Sequence, residues 1–115
     1  MEKIINIDGR DVKLKSTGAL LLRYKAQFRR DAFQDMAKLA NVLDEKTGEL
    51  KDISYLDLDV FYNLIWTLAK TGNPDIAPLE NWLDTFDDFP IMDLVPDVMD
   101  MVTRCLQTTK KKNRK

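Results

Sequence analysis

Apolar and polar residues alternate from Lys3 to Lys15, and this period of two predicts β-strands. The apolar positions of this segment are Ile5, Ile7, Val12 and Leu14. An Asp-Gly pair between them predicts a tight turn, so the segment is expected to form a β-hairpin with one apolar face. Because an isolated hairpin is only marginally stable in water, we expect that face to pack on helices.

The turn decides the register of this hairpin. A loop at Gly9–Arg10, with glycine first as a type II′ turn requires, brings apolar residues opposite each other. The cross-strand pairs are then Ile7 with Val12 and Ile5 with Leu14. A type I′ loop at Asp8–Gly9 would instead place Ile7 opposite Arg10. We expect the first register because it pairs apolar side chains with each other.

An amphipathic helix is predicted after Ser16-Thr17-Gly18, which offers an N-cap. The apolar positions, at steps of three and four, are Leu21, Tyr24, Phe28, Ala32, Met36, Leu39 and Leu43. The helix either runs unbroken from about Gly18 to Leu43 or bends near Arg29–Arg30, and the pattern leaves both alternatives open. Residues 44–52 are polar with one glycine and predict an exposed loop.

A further helix is predicted from Leu58 to about Lys70, with Asp57 as N-cap, Gly72 as C′ residue and Pro74 beyond it. Its apolar face comprises Leu58, Phe61, Tyr62, Leu64, Ile65, Leu68 and Ala69, and its polar face Asp59, Asn63, Thr67 and Lys70. Trp66 falls outside the apolar face. We therefore predict that Trp66 is partly exposed and belongs to a self-association or partner surface.

Two more helical segments follow. Pro78 suits the first turn of a short helix that extends through Phe86. The last helix begins near Phe89–Pro90, and Pro96 within it implies a restart or a kink. Its apolar positions are Ile91, Leu94, Val95, Val98, Met99, Val102 and Leu106. Residues 108–115 form a basic tail that is expected to be disordered. The prediction is a mainly α domain over residues 1–107, with its N-terminal hairpin at residues 3–15.

The amino-acid composition excludes several kinds of catalytic and metal-binding site. The chain has 115 residues, no histidine and one cysteine, Cys105. These counts exclude histidine-based catalysis, His-ligated zinc, an intrachain disulfide and a cysteine-rich metal cluster. Neither a signal-peptide core nor an apolar run of membrane-spanning length is present, so we expect a soluble, cytoplasmic protein. No glycine-rich phosphate loop can be written from the four glycines, and no cofactor is expected.

Charges are sorted along the chain. Residues 73–103 contain eight acidic residues and no Lys or Arg, whereas basic residues crowd the first thirty positions. Either the two groups face each other within one monomer, or the basic surface of one copy meets the acidic surface of the next. Asp93, Asp97 and Asp100 share one helical face, which we interpret as solvated in preference to a metal or acid/base site. The tail after residue 109 carries five positive charges without an interleaved aromatic residue, which favours a solubilising role over nucleic-acid contact.

Four segments together resemble the tail assembly chaperones of long-tailed phages and prophages of Gram-positive bacteria. They are Ile4–Leu14, Arg23–Asp31, Leu58–Lys70 and Trp82–Ile91. The likeness spans roughly residues 3–106 and rests on the order and spacing of these segments. It implies a mostly helical protein of the host cytoplasm, absent from the mature virion, that coats the long helical tape measure protein before tail tube subunits polymerise around it. It implies no catalysis.

The resemblance also gives the basic tail a meaning. Many genes of that family make a longer second product by programmed ribosomal slippage, and slippery sites of one kind encode consecutive lysines. Lys110, Lys111 and Lys112 are such a run. A longer form could recruit the major tail tube protein to the coated tape measure.

A small helical nucleic-acid-binding regulator and a carboxylate-based enzyme are the alternative functions. The first would need a basic recognition helix, whereas the later helices are acidic, and the second lacks a pocket signature. A homo-oligomer is expected. The candidate partner or self-association residues are Arg23, Arg29, Arg30, Tyr62, Trp66, Asp93, Asp97 and Asp100.

Overall fold

The computed structural model describes residues 1–40 and 57–112, with the side chains of residues 1–39 and 57–105. Over these residues the elements are β1 (Glu2–Ile7), β2 (Arg10–Lys15), α1 (Leu20–Phe28), α2 (Ala32–Ala40), α3 (Leu58–Gly72), α4 (Leu79–Asp84) and α5 (Ile91–Lys112). The prediction of a mainly α fold with an N-terminal hairpin is therefore confirmed. Leu43 and the predicted loop at residues 44–52 lie outside the described residues.

Helix α3 lies at the centre of the fold. It contacts β2, α1, α2, α4 and α5, and α2 also packs on α5. Eight of its side chains are buried, namely those of Val60, Phe61, Leu64, Ile65, Trp66, Thr67, Leu68 and Ala69. Each large apolar side chain of this kind contributes roughly 1.5–3 kcal/mol when fully buried. The core is therefore built around α3, and the other elements cover it.

The hairpin adopts the register that we did not expect. Ile7 pairs with Arg10 and Ile5 with Val12, so the expected pairs Ile7 with Val12 and Ile5 with Leu14 are wrong. The turn residues Asp8 and Gly9 have φ values of 54° and 79°, as a type I′ turn requires, and this turn matches the natural twist of the strands. The two registers differ by two residues and keep the same faces inward, so the apolar pattern does not distinguish them.

This register places Arg10 opposite Ile7 and Lys3 opposite Leu14, and both cationic side chains bind residues outside the hairpin. The Arg10 guanidinium lies 3.8 Å from the centre of the Phe86 ring and donates a 2.7 Å hydrogen bond to Thr85 Oγ1. Lys3, opposite Leu14, reaches two carboxylates of α5. The Asp8 carboxylate accepts a 2.9 Å hydrogen bond from the backbone N–H of Asp87. The turn end of the hairpin is thereby attached to the α4–α5 connection.

The helix predicted after the hairpin is broken into α1 and α2. Arg29 adopts a left-handed conformation with φ 58° and ψ 36° and ends α1. Because Arg29 has a Cβ atom, this conformation costs roughly 1–2 kcal/mol. The Asp31 carboxylate accepts a 3.1 Å hydrogen bond from the backbone N–H of Gln34 and so caps the first turn of α2.

The start of α1 also differs from the prediction. Ala19 is the N-cap, without a side-chain hydrogen bond, in place of the Ser16-Thr17-Gly18 segment. Leu20 and Tyr24 are its buried residues, whereas Leu21, expected on the apolar face, is 36% exposed. Leu20 lies one helical turn before Tyr24 on the same inward face, which leaves Leu21 at the rim.

The two ends of α3 test the predicted caps. The Asp57 carboxylate accepts a hydrogen bond of 3.3 Å from the Val60 N–H, so the predicted N-cap is confirmed. Gly72 is not a C′ residue, because it is the last residue of the helix and Asn73 is the C-cap. A Cβ atom at Gly72 would lie 2.5 Å from the carbonyl oxygen of Lys13. Glycine is required there because β2 approaches the helix backbone closely.

The C-terminal half matches its predicted elements with adjusted bounds. Helix α4 begins after Pro78 and ends at Asp84, before Phe86. Helix α5 is continuous through the exposed Pro96, so no restart occurs there. The helix extends to Lys112 and thus includes the start of the predicted disordered tail, residues 108–115. The side chains of that tail, and residues 113–115 altogether, lie outside the described residues.

Candidate partner-binding surface

Helix α1 presents an exposed surface that combines basic and apolar residues. We call it the α1 outer face and define it as Leu22, Arg23, Lys25, Ala26 and Arg29, all of them exposed. Leu22, Lys25 and Arg29 follow each other at steps of three and four and so share one side of the helix. Leu22 is 70% exposed. On the next helix, Phe33 is 57% exposed. We take these exposed apolar side chains, together with the cations of α1, as the candidate partner surface.

The cations of this face have no acidic partner within the described part of the chain. Among residues 1–39 and 57–105, the ion pairs involve Lys3, Lys13, Lys15, Arg30 and Arg104 as the basic members. Arg23, Lys25 and Arg29 are not among them. The positive charge of α1 is therefore directed toward solvent and available to a negatively charged partner.

A shallow groove of about 290 Å³ lies between α1 and α3. Its lining residues are Arg23, Ala26, Gln27, Trp66, Thr67, Lys70 and Thr71. The Lys70 ammonium donates hydrogen bonds of 2.7 Å to the Pro74 carbonyl and 3.2 Å to the Ile76 carbonyl. Of the two cations that line the groove, Lys70 is therefore held by backbone carbonyls, whereas Arg23 belongs to the α1 outer face.

Trp66 is not an exposed anchor, so its predicted exposure is wrong. Only 5% of the residue is exposed, and its indole N–H donates a 2.9 Å hydrogen bond to the Ala77 carbonyl. The ring meets Phe28 edge-on at 5.9 Å. The helical wheel placed Trp66 outside the apolar face, but α1 and the segment after α3 cover that side. A central helix is buried on more than one face, and Thr67 from the predicted polar face is buried for the same reason.

Tyr62 is likewise part of the packing between elements. Its ring contacts Phe61 at 6.4 Å and Phe89 at 6.0 Å, and the residue is half-buried. Phe89 in turn belongs to an aromatic cluster with Trp82 and Phe86, with ring centres 5.4 to 5.9 Å from Phe89. Tyr62 therefore lies at the edge of this cluster, between α3 and the start of α5. Its ring contacts are with Phe61 and Phe89 and not with residues of the α1 outer face.

Arg30 has a structural partner. Its guanidinium binds the Asp35 carboxylate through Nε at 2.6 Å and Nη2 at 3.1 Å. The Tyr24 hydroxyl donates a 2.8 Å hydrogen bond to the same carboxylate. Only 5% of Asp35 is exposed. The Arg30 hydrogen bonds, opposed by burial, lower the pKa of Asp35, and burial together with the Asp35 hydrogen bond raises the pKa of Tyr24 to about 12.

The acidic candidates of α5 divide into two groups. Asp97 and Asp100 accept hydrogen bonds from Lys3 at 3.4 and 3.1 Å, whereas Asp93 is exposed. Burial alone would lower the pKa of Lys3, but the hydrogen bonds and charges of Asp100 and Asp97 raise it. The hydrogen bond from Lys3 lowers the pKa of Asp100 despite partial burial. Part of the sorted charge is therefore satisfied within the monomer.

The remaining acidic residues of this region face solvent. Exposed carboxylates extend along residues 75–93, at Asp75, Glu80, Asp84, Asp87, Asp88 and Asp93. We call these six residues the acidic surface. Within the described ranges, no group of three His, Cys, Asp or Glu residues could hold a metal ion. Nor does any helix among the described residues have the length and apolar character needed to cross a membrane.

Comparisons with known proteins assign no family to the chain. The chain matches no protein-family model, and searches of curated proteins and of solved structures give no match either.

Two features in and near the candidate surface do not follow from the sequence analysis. The first is the Tyr24–Arg30–Asp35 cluster, whose only local signal is an acid five residues after an arginine. The second is the pair of exposed apolar residues Leu22 and Phe33, which stand outside the apolar stripe and could have been noted as unexplained. Of the eight predicted site residues, Arg23 lies on α1 and Arg29 ends that helix, both of them exposed, whereas Asp97 and Asp100 lie together on α5 beside Lys3.

Proposed function

We propose that the protein is a tail assembly chaperone that binds the helical tape measure protein of a long-tailed phage and keeps it soluble. The resemblance over residues 3–106 supports the proposal, and so does the mainly α fold. The observation that carries it is the α1 outer face, where Leu22 is 70% exposed beside Arg23 and Lys25. An amphipathic helix of a partner could cover such a surface with its apolar stripe and place acidic residues against the cations.

Copurification tests this function. The chain is coexpressed with the long helix-rich protein that the proposal expects to be encoded immediately downstream, and the soluble complex is quantified. We expect Leu22→Gln to reduce the recovered complex at least tenfold because a buried apolar anchor at an interface centre contributes about 2 kcal/mol. Ile4→Thr is the matched control, since Ile4 is 67% exposed on the hairpin. Equal loss in both variants, or no complex with the unmodified chain, would contradict the proposal.

Self-association belongs to the same proposal. The α1 outer face of one copy would meet the acidic surface of the next, a head-to-tail contact that repeats along a coated partner. Exposed charges are screened over about 8 Å at physiological ionic strength, so the oligomers should shrink as salt is added. Light scattering in low and high salt measures this, and an unchanged mass would favour an apolar interface.

Charge reversal sharpens that measurement. Arg23→Glu with Lys25→Glu is expected to reproduce the effect of salt, because both cations lie on the α1 outer face. Lys13→Glu with Lys15→Glu changes the net charge equally on the hairpin and serves as the control, because the ion pairs that these lysines form with Glu2 are exposed and contribute little to stability. Reversal of Arg29 together with Arg30 is less suitable, since Arg30 binds Asp35 and its loss would disturb the fold.

The function in the cell follows as part of the proposal. The chaperone would act in the host cytoplasm without catalysis and would be absent from the finished virion. A longer product made by slippage at the Lys110–Lys112 codons would bring tail tube subunits to the tape measure. Reading the nucleotide sequence tests this step, which is excluded if the codons contain no slippery heptamer or no open frame follows.

A further inference from the structure

The corner between α1 and α2 joins two segments that carry one continuous helical pattern. Tyr24, Phe28, Ala32, Met36 and Leu39 follow each other at steps of four, four, four and three, and all are buried or half-buried. These steps place the five side chains on one stripe of an unbroken α-helix. The residues between the helices, Arg29 to Asp31, include neither glycine nor proline. The local sequence is therefore compatible with a straight helix through the corner.

The bent form instead uses a left-handed arginine. Arg29 has φ 58°, a conformation that glycine adopts freely and that residues with a Cβ atom disfavour. The bend must therefore be held by contacts between residues on its two sides.

Beside the burial of Ala32, Met36 and Leu39, the Asp35 carboxylate supplies polar contacts of this kind. It accepts hydrogen bonds from Tyr24 on α1 and from Nε and Nη2 of Arg30 in the connection, at 2.8, 2.6 and 3.1 Å. Asp35 itself is on α2 and is buried. One carboxylate thus ties together both helices and the residues between them.

These bonds exist only in the bent form. In an unbroken helix, Tyr24 and Asp35 would be separated by eleven residues, or about 16 Å along the axis, which is beyond the reach of the two side chains. Arg30 and Asp35 would be five residues apart and point in different directions around the helix. The Asp35 contacts therefore distinguish the bent form from the straight one.

We propose that the α1–α2 corner is a two-state hinge, in which the Asp35 carboxylate selects the bent form over a straight helix that joins α1 to α2. Straightening would withdraw Met36 and Leu39 from the core and present their apolar stripe to a partner. The hinge follows from the corner alone and does not depend on the proposed function.

A distance measurement between two spin labels tests the hinge. The labels are attached at Leu22→Cys and Ala37→Cys, both exposed positions, in the full chain carrying Cys105→Ser. A straight helix places these Cα atoms about 22 Å apart, and the bent form holds them closer. We expect the short distance to dominate in the parent chain and a second population near the straight-helix distance in Arg29→Ala with Asp35→Asn.

Arg29→Gly is the matched control, since glycine accepts the left-handed conformation and opposes a continuous helix. The ratio of straight to bent form is expected to be about tenfold higher in Arg29→Ala than in Arg29→Gly, in otherwise identical chains. The comparison of these two single variants also tests the hinge if the double variant does not fold. Identical distance distributions in Arg29→Ala and Arg29→Gly, or a long distance in Arg29→Gly, would overturn the hinge.

Discussion

The chain turns twice through left-handed backbone, and the two turns are stabilised in different ways. At the hairpin, Asp8 and Gly9 have positive φ values and are residues that tolerate them. At the α1–α2 corner, Arg29 has a similar φ value, but arginine does not adopt positive φ values readily. Hydrogen bonds to the Asp35 carboxylate hold this bend. The hairpin turn is thus determined by its own residues, whereas the corner depends on a side chain six residues further along the chain.

The largest expected effect comes from removing the contact that holds the corner. Asp35→Ala deletes three hydrogen bonds and leaves the buried Tyr24 hydroxyl without its acceptor. Hydrogen bonds to charged groups contribute about 1.5–3 kcal/mol, so we expect the free energy of unfolding to fall by about 3 kcal/mol. Urea denaturation followed by circular dichroism measures this loss.

Tyr24→Phe is the control for that measurement, because it removes one bond and keeps the ring in place. Its expected cost is about 1 kcal/mol. If Asp35→Ala were no more costly than Tyr24→Phe, the corner would be held by apolar packing alone, and the contrast between the two turns would lose its basis.

The next effect concerns how the hairpin is seated on α3. Gly72→Ala would place a Cβ atom 2.5 Å from the Lys13 carbonyl oxygen, so strand and helix would have to separate. Overpacking of this kind costs roughly 1–3 kcal/mol, against about 1 kcal/mol gained in helix propensity. We expect a net loss of up to about 2 kcal/mol in thermal or urea unfolding. Gly18→Ala, with no atom within 4 Å of the added Cβ, should leave stability unchanged or slightly raised.

Substitutions at the two left-handed positions should differ in their effect on stability, because Gly9→Ala introduces backbone strain and Arg29→Gly removes it. Gly9→Ala introduces a Cβ atom at φ 79° in open space, so its expected cost of about 1 kcal/mol is that of the backbone alone. Arg29→Gly removes the same strain, offset by the greater freedom of glycine in the unfolded chain, and should be neutral or stabilising by about 0.5 kcal/mol. Urea midpoints of both variants measure the signs. A clear loss of stability in Arg29→Gly would mean that the arginine side chain itself supports the corner.

Local chemistry also explains which parts of the fold were predictable. The helices α3 and α5, the Asp57 cap and the two strands follow from periodicity and capping residues within a few positions of each other. The hairpin register was mispredicted because both registers bury the same faces, and the turn type had to decide between them. The local pattern does not decide the break at Arg29, because the residues that enforce it act through a buried carboxylate.

The candidate surface was less predictable than the fold, for a related reason. Whether Trp66 is exposed depends on which elements cover the second side of α3, and that is a tertiary property. The sequence predicts Arg30 and Asp97 as surface charges available to a partner, yet each has an ion-pair partner on another element: Asp35 on α2 and Lys3 on β1. The basic character of α1, in contrast, follows directly from the sequence, because it depends only on which residues the helix contains and not on tertiary contacts.

The smallest expected effect is a pH dependence that belongs to the corner and not to the hairpin turn. The pKa of Asp35 is lowered in the folded protein by Arg30 and Tyr24, with Lys38 acting in the same direction. A lowered pKa stabilises the fold fully above the unfolded value of about 3.8, and the contribution is lost as the pH falls through the folded pKa. The pKa of Tyr24, which faces Asp35, Asn63 and Arg30, is raised to about 12, so its contribution is lost as the pH rises from about 10 through that value. The difference in unfolding free energy between the parent chain and Asp35→Asn should therefore be constant near neutral pH and shrink below pH 4. A difference that stays level down to pH 2 would show that the charge of Asp35 does not hold the corner.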